Sequence, residues 1–189
     1  MIYKLRADRE NYLNFYIDAY VIEKTIGDFF LLNQDHWVEF WKPLPILFQD
    51  DSDRRNIVVP PDITVWATEN CLALNQKAYT ALKNKLHTFG EFLPLQSEGT
   101  PYWLFHSTKK TDISHVDLSK SSRTIDEVDY IDVQTLAFKE ETLDDLLVFQ
   151  TEFNGYQNLY CTDNFRKLIE SLRLNGLQFS EDLTCKSEP

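Results

Sequence analysis

The stretch from Asn158 to Phe179 reads N-L-Y-C-T-D-N-F-R-K-L-I-E-S-L-R-L-N-G-L-Q-F, and it predicts a strand followed by a capped helix. Leu159 and Cys161 indicate the strand, and Thr162 or Asp163 is a typical N-cap that accepts hydrogen bonds from free backbone amides. The apolar residues that follow are spaced so that they share one helical face; they are Phe165, Leu168, Ile169 and Leu172.

The same stretch also predicts where this helix ends. Asn175-Gly176 supplies the left-handed residue that commonly ends helices. Leu177 to Phe179 then indicates a second strand. The segment is therefore interpreted as strand, helix, strand.

A similar order of elements is predicted upstream. Cys71 to Leu74 indicates a short strand, Asn75 is the predicted N-cap, and the helix runs from Gln76 to about His87 with Gly90 just past its end. The buried stripe of this helix is predicted to be Ala78, Leu82 and Leu86. Two further strands are predicted on either side of a loop containing Gly99 and Pro101; they are Glu91 to Leu95 and Tyr102 to His106.

The remaining regions complete the predicted fold class. Up to about Pro45 the chain is rich in aromatic residues, and strand is favoured over helix there. Ser107 to Asp129 is polar and is predicted to be an exposed excursion, whereas Ile131 to Phe138 alternates like a strand.

We predict an α+β fold, with mixed or antiparallel sheet segments and a few packed helices, in a single compact domain. Residues 1–56 form a strand- and aromatic-rich N-terminal portion and residues 57–189 the α+β part, the two together forming one structural unit. The polar stretch Gln49 to Asn56 is the predicted exposed connection between them.

The overall charge limits the classes of partner. The chain carries 30 acidic and 19 basic residues, a net charge of −11, which disfavours nucleic acid and anionic membrane surfaces. It has no apolar run long enough to span a bilayer and no signal-peptide pattern. With three scattered cysteines and no CxxC pair, we expect a cytoplasmic protein without disulfides.

Motifs for catalysis and cofactors are weak. The four histidines lack zinc-ligand spacing, and glycine patterns for nucleotides are absent, so no cofactor or metal is expected. A hydrolase or transferase using Cys161, His36 or His106 is kept as an alternative, although Cys161 is favoured to be a buried strand residue. A small-molecule-binding adaptor with an aromatic-lined pocket is a third hypothesis.

Clusters of acidic residues are the candidate binding sites. Concentrated negative charge steers association with a basic protein surface, although the simpler interpretation is a solvated face. The candidate residues are Asp126, Glu127 and Asp129 in one cluster, and Glu140, Glu141, Asp144 and Asp145 in another. Trp37 and Trp41 are added because aromatic residues are frequent in interface hot spots, but a core role is favoured for both.

Three motifs carry a resemblance to a known family. They are C-L-A-L-N-Q-K-A-Y-T-A-L-K (Cys71 to Lys83) followed by G-E-F-L-P-L (Gly90 to Leu95), then P-Y-W-L-F-H (Pro101 to His106), then the segment Leu159 to Phe179. With these motifs the chain resembles a bacterial immunity-protein family of polymorphic toxin systems, typified by a myxobacterial immunity domain. The resemblance covers most of the region from Ile57 to Asp182.

The resemblance implies a binding function. Members of such a family neutralise a cognate toxin, delivered by contact-dependent or type VI secretion, by covering its active site. The partner would then be a toxin with a basic active-site surface, and the protein would not be an enzyme. No catalytic residues or cofactors accompany the family, so none is assigned to this chain.

Overall fold

The computed structural model describes residues 1–27, 35–51, 56–66, 70–127 and 130–184. Within these ranges the chain forms three α-helices and thirteen β-strands. The helices are α1 (Ala19–Ile26), α2 (Gln76–Leu86) and α3 (Asp163–Ser171). The strands are β1 (Ile2–Ala7), β2 (Asn14–Tyr16), β3 (Leu47–Gln49), β4 (Ile63–Trp66), β5 (Cys71–Asn75), β6 (Gly90–Leu95), β7 (Tyr102–Ser107), β8 (Lys110–Thr111), β9 (Ser122–Ile125), β10 (Ile131–Thr135), β11 (Val148–Thr151), β12 (Tyr160–Thr162) and β13 (Leu177–Ser180).

A five-stranded sheet joins the two ends of the described chain. Its strand order is β13-β1-β12-β11-β8, and all neighbours are antiparallel except β11 and β8. Lys4 on β1 lies opposite Tyr160 on one side and Ser180 on the other. The N-terminal strand is thus held between two C-terminal strands, and the chain forms a single compact α+β domain.

A four-stranded antiparallel sheet, in the order β4-β5-β7-β6, separates two hydrophobic clusters. Because side chains alternate along a strand, Leu72 and Leu74 face a cluster that includes α2 and α3, whereas Cys71 and Ala73 face the opposite side. The opposite side is covered by N-terminal residues, which include Phe15, Ile22, Trp37 and Leu44. This sheet therefore ties the N-terminal region to the rest of the core.

The predicted start and buried stripe of α2 are confirmed. The Asn75 side chain accepts a hydrogen bond of 3.0 Å from the Ala78 amide, which satisfies a free donor of the first turn. Ala78, Leu82 and Leu86 are all completely buried. Gly90 has a different role from the one predicted: it begins β6, where an added Cβ would overlap the His106 carbonyl oxygen and lie 2.8 Å from the Phe105 ring.

The predicted apolar face of α3 is also confirmed, because Phe165 and Ile169 are buried while Leu168 and Leu172 pack against the same cluster. Thr162 is the N-cap residue, although its side chain makes no capping hydrogen bond. The end of the helix differs from the prediction. It ends at Ser171, and the first left-handed residue after it is Arg173, with φ 50°.

Gly176 instead forms a junction between the two larger sheets. Its carbonyl accepts a hydrogen bond of 3.0 Å from Asp8, just after β1, while the neighbouring Asn175 carbonyl accepts from Asp62 and Ile63 at the start of β4. Gly176 has φ 113°, and an added Cβ would overlap Pro61 and lie 2.5 Å from the Ile63 carbonyl oxygen. Glycine is therefore required both by the backbone conformation and by the close approach of β4.

Two predictions for less regular regions are correct only in part. The N-terminal region contains the strands β1 and β2, as predicted, but also a helix, α1, which the Asp18 side chain caps by accepting from the amides of Tyr20 and Val21. Ser107 to Asp129 is not only an exposed excursion: β8 joins the five-stranded sheet, Val116 is completely buried, and β9 pairs with β10. Few positions in this stretch are buried, so its many polar residues hide the alternation of apolar and polar residues that indicates a strand.

None of the helices in the described part of the chain is both long and apolar enough to cross a lipid bilayer.

Candidate functional site

The β9–β10 hairpin carries the first predicted acidic cluster. The strands are antiparallel, with Ile125 opposite Ile131 and Thr124 opposite Asp132, and the Asp126 amide donates to the Tyr130 carbonyl at 3.1 Å. We call β9, β10 and the turn residues Asp126, Glu127 and Tyr130 the acidic hairpin. Asp129 belongs to the predicted cluster but lies outside the described residues.

One face of the acidic hairpin is fixed to the domain. The Arg123 guanidinium donates to the carbonyl oxygens of Glu152 and Phe153, and its centre lies 4.8 Å from the centroid of the Phe153 ring. Val133, opposite Arg123 in the hairpin, is completely buried. These contacts hold the hairpin in a defined orientation on the domain surface.

The turn end of the acidic hairpin combines exposed apolar and acidic side chains. Ile125 is 52% exposed and Tyr130 is 56% exposed. Asp126, Glu127 and Asp132 are exposed beside them in sequence or on the adjacent strand. Exposed aromatic and aliphatic side chains bordered by charges have the composition of a protein-binding surface.

The second acidic cluster lies on a different element and in a mixed-charge setting. Glu140 and Glu141 are in a short 3₁₀ helix (Glu140–Thr142), and Asp144 and Asp145 follow it; all four are exposed. Glu140 is 2.6 Å from the Met1 amino group. Its negative charge is thus partly compensated.

The two tryptophan candidates lie in the hydrophobic cluster on the Cys71 and Ala73 side of the four-stranded sheet. Trp37 is 1% exposed, so its ring is not available to a partner in this conformation, and the favoured core interpretation fits it. Trp41 is partly buried, stacks on Trp37 with ring centroids 6.0 Å apart, and donates from its indole to the Pro94 carbonyl. Trp37 and Trp41 flank a single turn, in which the Trp41 amide donates to the Trp37 carbonyl.

A buried histidine–glutamate pair lies beneath this turn. Nδ1 of His106 is 3.1 Å from Glu91 Oε1, and because a carboxylate only accepts, Nδ1 is the donor. The amide of Trp37 donates to the same Glu91 oxygen at 2.6 Å, and the amide of Val38 donates to the other. The Trp37 ring stacks on the imidazole of His106 at 4.0 Å between centroids. Glu91 therefore fixes both the histidine and the tryptophan turn.

Sequence reasoning did not pair these two residues. The sequence indicates His106 singly as a catalytic candidate and Glu91 only as a strand residue. The signal was present, since pairing the predicted strands outward from their loop places Glu91 directly opposite His106, as observed.

Charged groups surround the pair. His36 Nδ1 lies 4.0 Å from Glu91 Oε1, and its side chain is 67% exposed. Lys110 on β8 pairs with Asp35, and its ammonium also lies 4.9 Å from the centroid of the Tyr156 ring. Among the residues that the structure describes, no group of three or more His, Cys, Asp or Glu side chains is placed to hold a metal ion.

The environment of His106 makes stability dependent on pH. Burial lowers the pKa of His106, and the hydrogen bond to Glu91 opposes this shift only in part. The unfolded chain therefore binds a proton at higher pH than the native protein does, so the free energy of unfolding falls as the pH drops below about 6.5.

We expect His106→Gln to reduce the pH dependence of stability below about pH 6.5, because glutamine can donate to Glu91 but does not titrate. The measurement is urea unfolding of wild type and variant over a series of pH values from neutral to mildly acidic. His87→Gln is the matched control, since His87 is exposed and its ring nitrogen bonds to the nearby Asn84 carbonyl. An equal change of slope in both variants would contradict the assignment to His106.

Cys161, the other catalytic candidate, is completely buried on β12. Burial raises the pKa of its thiol well above the usual value, which disfavours the thiolate that a nucleophile requires. The favoured interpretation of Cys161 as a buried strand residue is confirmed.

Two comparisons of this chain with known proteins found no match. No known protein-family model matches it. No curated protein shows significant similarity to it.

Proposed function

We propose that this protein functions by binding one protein partner that presents a basic surface, with the acidic hairpin as the principal contact. The observation that supports this most is the exposure of both Ile125 and Tyr130 near the turn of the hairpin, where Asp126 and Glu127 also lie and Asp132 follows on β10. Complete burial of each of the two apolar side chains would contribute roughly 1.5–3 kcal/mol to binding before the costs of association.

The charges of the hairpin would select the partner and speed its approach. Negative groups around an apolar centre attract a positively charged surface and disfavour an acidic one. The net charge of −11 acts in the same direction at longer range. Nucleic acid and anionic membranes are unfavourable partners for the same reason.

The more specific proposal is an immunity protein. Taken with the sequence resemblance, the surface suits a protein that covers the cationic active site of a secreted bacterial toxin, delivered by contact-dependent or type VI secretion. Both proteins would then act in the cytoplasm. Clefts that hold nucleic acids or nucleotides are typically basic, so a toxin acting on one of these fits the surface best.

Co-expression tests this proposal. The product of the reading frame next to this gene would be expressed alone and together with the protein. Growth arrest by that product, relieved by co-expression and accompanied by a stoichiometric complex, is the expected result. A neighbouring product that is not toxic, or toxicity that persists although the protein is folded and abundant, would count against the immunity function.

A second candidate function rests on the Glu91–His106 pair. A buried histidine oriented by a carboxylate is an arrangement also used in general acid–base catalysis, so a hydrolase, a transferase or a small-molecule adaptor is the alternative. His106→Gln and Cys161→Ala separate the two proposals: protection that survives both changes favours binding, and a turnover lost in either favours an enzyme.

A further inference from the structure

The acidic hairpin has an open strand edge. This edge suggests how a partner would bind to the hairpin. In an antiparallel pair, residues alternate between those whose backbone groups bond to the neighbouring strand and those whose groups point away. The Asp126 amide donates to the Tyr130 carbonyl, so Thr124, two residues earlier, also bonds across to β10. The amides and carbonyls of Arg123 and Ile125 consequently point away from β10.

This outer edge of β9 is accessible. Within residues 1–27, 35–51, 56–66, 70–127 and 130–184, no backbone hydrogen bond involves the outward groups of Arg123 or Ile125. Ser122, Thr124 and Ile125 are exposed. The other strand of the hairpin, β10, packs against the 3₁₀ helix Glu152–Asn154 and carries the completely buried Val133.

Natural proteins usually protect such an edge, because unpaired amides and carbonyls are a template for another strand. Charge and bulges are the common protections. Here the one cation on β9, Arg123, is turned toward Glu152 and Phe153 and does not guard the edge. The bulge of the hairpin lies at Val133 and Thr135, near the base and away from Ile125.

We propose that the partner adds an extended segment to the outer edge of β9, in which basic and apolar residues alternate. This inference rests on the proposed function. Backbone hydrogen bonds to Arg123 and Ile125 would hold the segment. Its apolar residues would lie on the face of Ile125 and Ile131, and its basic residues on the opposite face, where Asp132 is exposed.

The chemistry of the edge favours a basic segment over an acidic one. Asp126, Glu127 and Asp132 carry the charge around the edge, while the Arg123 guanidinium is held by two carbonyl oxygens. An acidic strand would bring like charges together, which costs binding free energy.

The test uses the full-length protein and a synthetic peptide of about eight residues, the usual length of a strand, with alternating lysine and valine. Backbone pairing does not depend on the exact side chains, so this peptide is a sufficient probe. A peptide of the same composition, with all lysines before all valines, is the control. Amide hydrogen exchange measured by NMR is expected to slow about tenfold or more at Arg123 and Ile125 when the alternating peptide binds.

Two variants separate the contribution of the Ile125 backbone to peptide binding from that of its side chain. Ile125→Ala removes the apolar contact and keeps the outward amide, whereas Ile125→Pro also removes that amide without breaking a bond to β10. Ile125→Pro is expected to bind the alternating peptide about fivefold more weakly than Ile125→Ala, the effect of one lost hydrogen bond. Continued protection of the Thr124 amide in Ile125→Pro shows that the hairpin is intact.

The possible outcomes are distinct. Equal peptide affinity in the two variants, unchanged exchange at Arg123 and Ile125, or no binding at about 1 mM peptide would overturn strand addition. If strand addition is overturned but binding of the co-expressed partner still requires Asp126, Glu127 and Asp132, the proposed function stands without strand addition. If those acidic residues can also be reversed without loss, both proposals fail.

Discussion

Replacing Asp126, Glu127 and Asp132 together with lysine is expected to abolish the proposed protection and to weaken the complex with the proposed basic partner about a hundredfold or more. Like charges brought together at an interface cost several kcal/mol, and each of these exposed side chains would then oppose a basic partner. The measurements are survival on co-expression and the dissociation constant of the purified pair.

A matched variant with the same number of reversals tests whether position matters. Glu140→Lys, Glu141→Lys and Asp144→Lys change three exposed acids of the second cluster by the same net charge. We expect a smaller loss from this variant, due only to the weaker long-range attraction. Equal losses in both variants would show that net charge alone acts, and a larger loss in the second would move the contact to that cluster.

Gly176→Ala is expected to have the largest effect on stability. It should lower the free energy of unfolding by about 4 kcal/mol, because backbone strain adds to steric overlap. At φ 113° an alanine is strained, and its Cβ would overlap Pro61 at the junction of the two sheets. Chemical denaturation of the purified variant measures the change in unfolding free energy.

Two other glycines separate the cost of backbone strain from the cost of steric overlap. Gly99 has φ 89° with nothing within 4 Å of an added Cβ, so Gly99→Ala is expected to cost only about 1 kcal/mol of strain. Gly90→Ala meets the His106 carbonyl and the Phe105 ring without a left-handed backbone, and about 2–3 kcal/mol is expected from overlap. A Gly176→Ala cost no larger than that of Gly99→Ala would mean that β4 moves aside freely.

The sequence was sufficient for elements whose signals are local. The start of α2 depends on Asn75 and its apolar stripe on spacings of four residues, both within one short segment. The hairpin of β6 and β7 depends on two apolar runs and the loop between them. Each of these features was predicted because the residues that determine it are neighbours in sequence.

Pairings over long sequence distances were not predictable in the same way. The central position of β1 requires Tyr3 to lie opposite Cys161, and nothing near residue 3 indicates that partner. The Gly176 junction similarly depends on Pro61 and Ile63. Such contacts follow from the closure of the whole fold, which a local pattern does not encode.

The candidate surface was predicted only in part, for a similar reason. The acids at positions 126 and 127 are evident in the sequence, but the exposure of Ile125 and Tyr130 depends on how Arg123 and Val133 attach the hairpin to the domain. Polar strands that are half exposed and short carry a weak alternation signal. The candidate surface is therefore predictable from the sequence as charge alone, without its exposed apolar side chains.

The most direct test of the central claim, that the acidic hairpin is where the protein meets its proposed partner, is hydrogen–deuterium exchange of the protein free and in complex with the partner identified by co-expression. We predict the largest slowing of exchange in peptides covering residues 122–135. Unchanged exchange in that region, with strong protection elsewhere on the domain, would contradict the account.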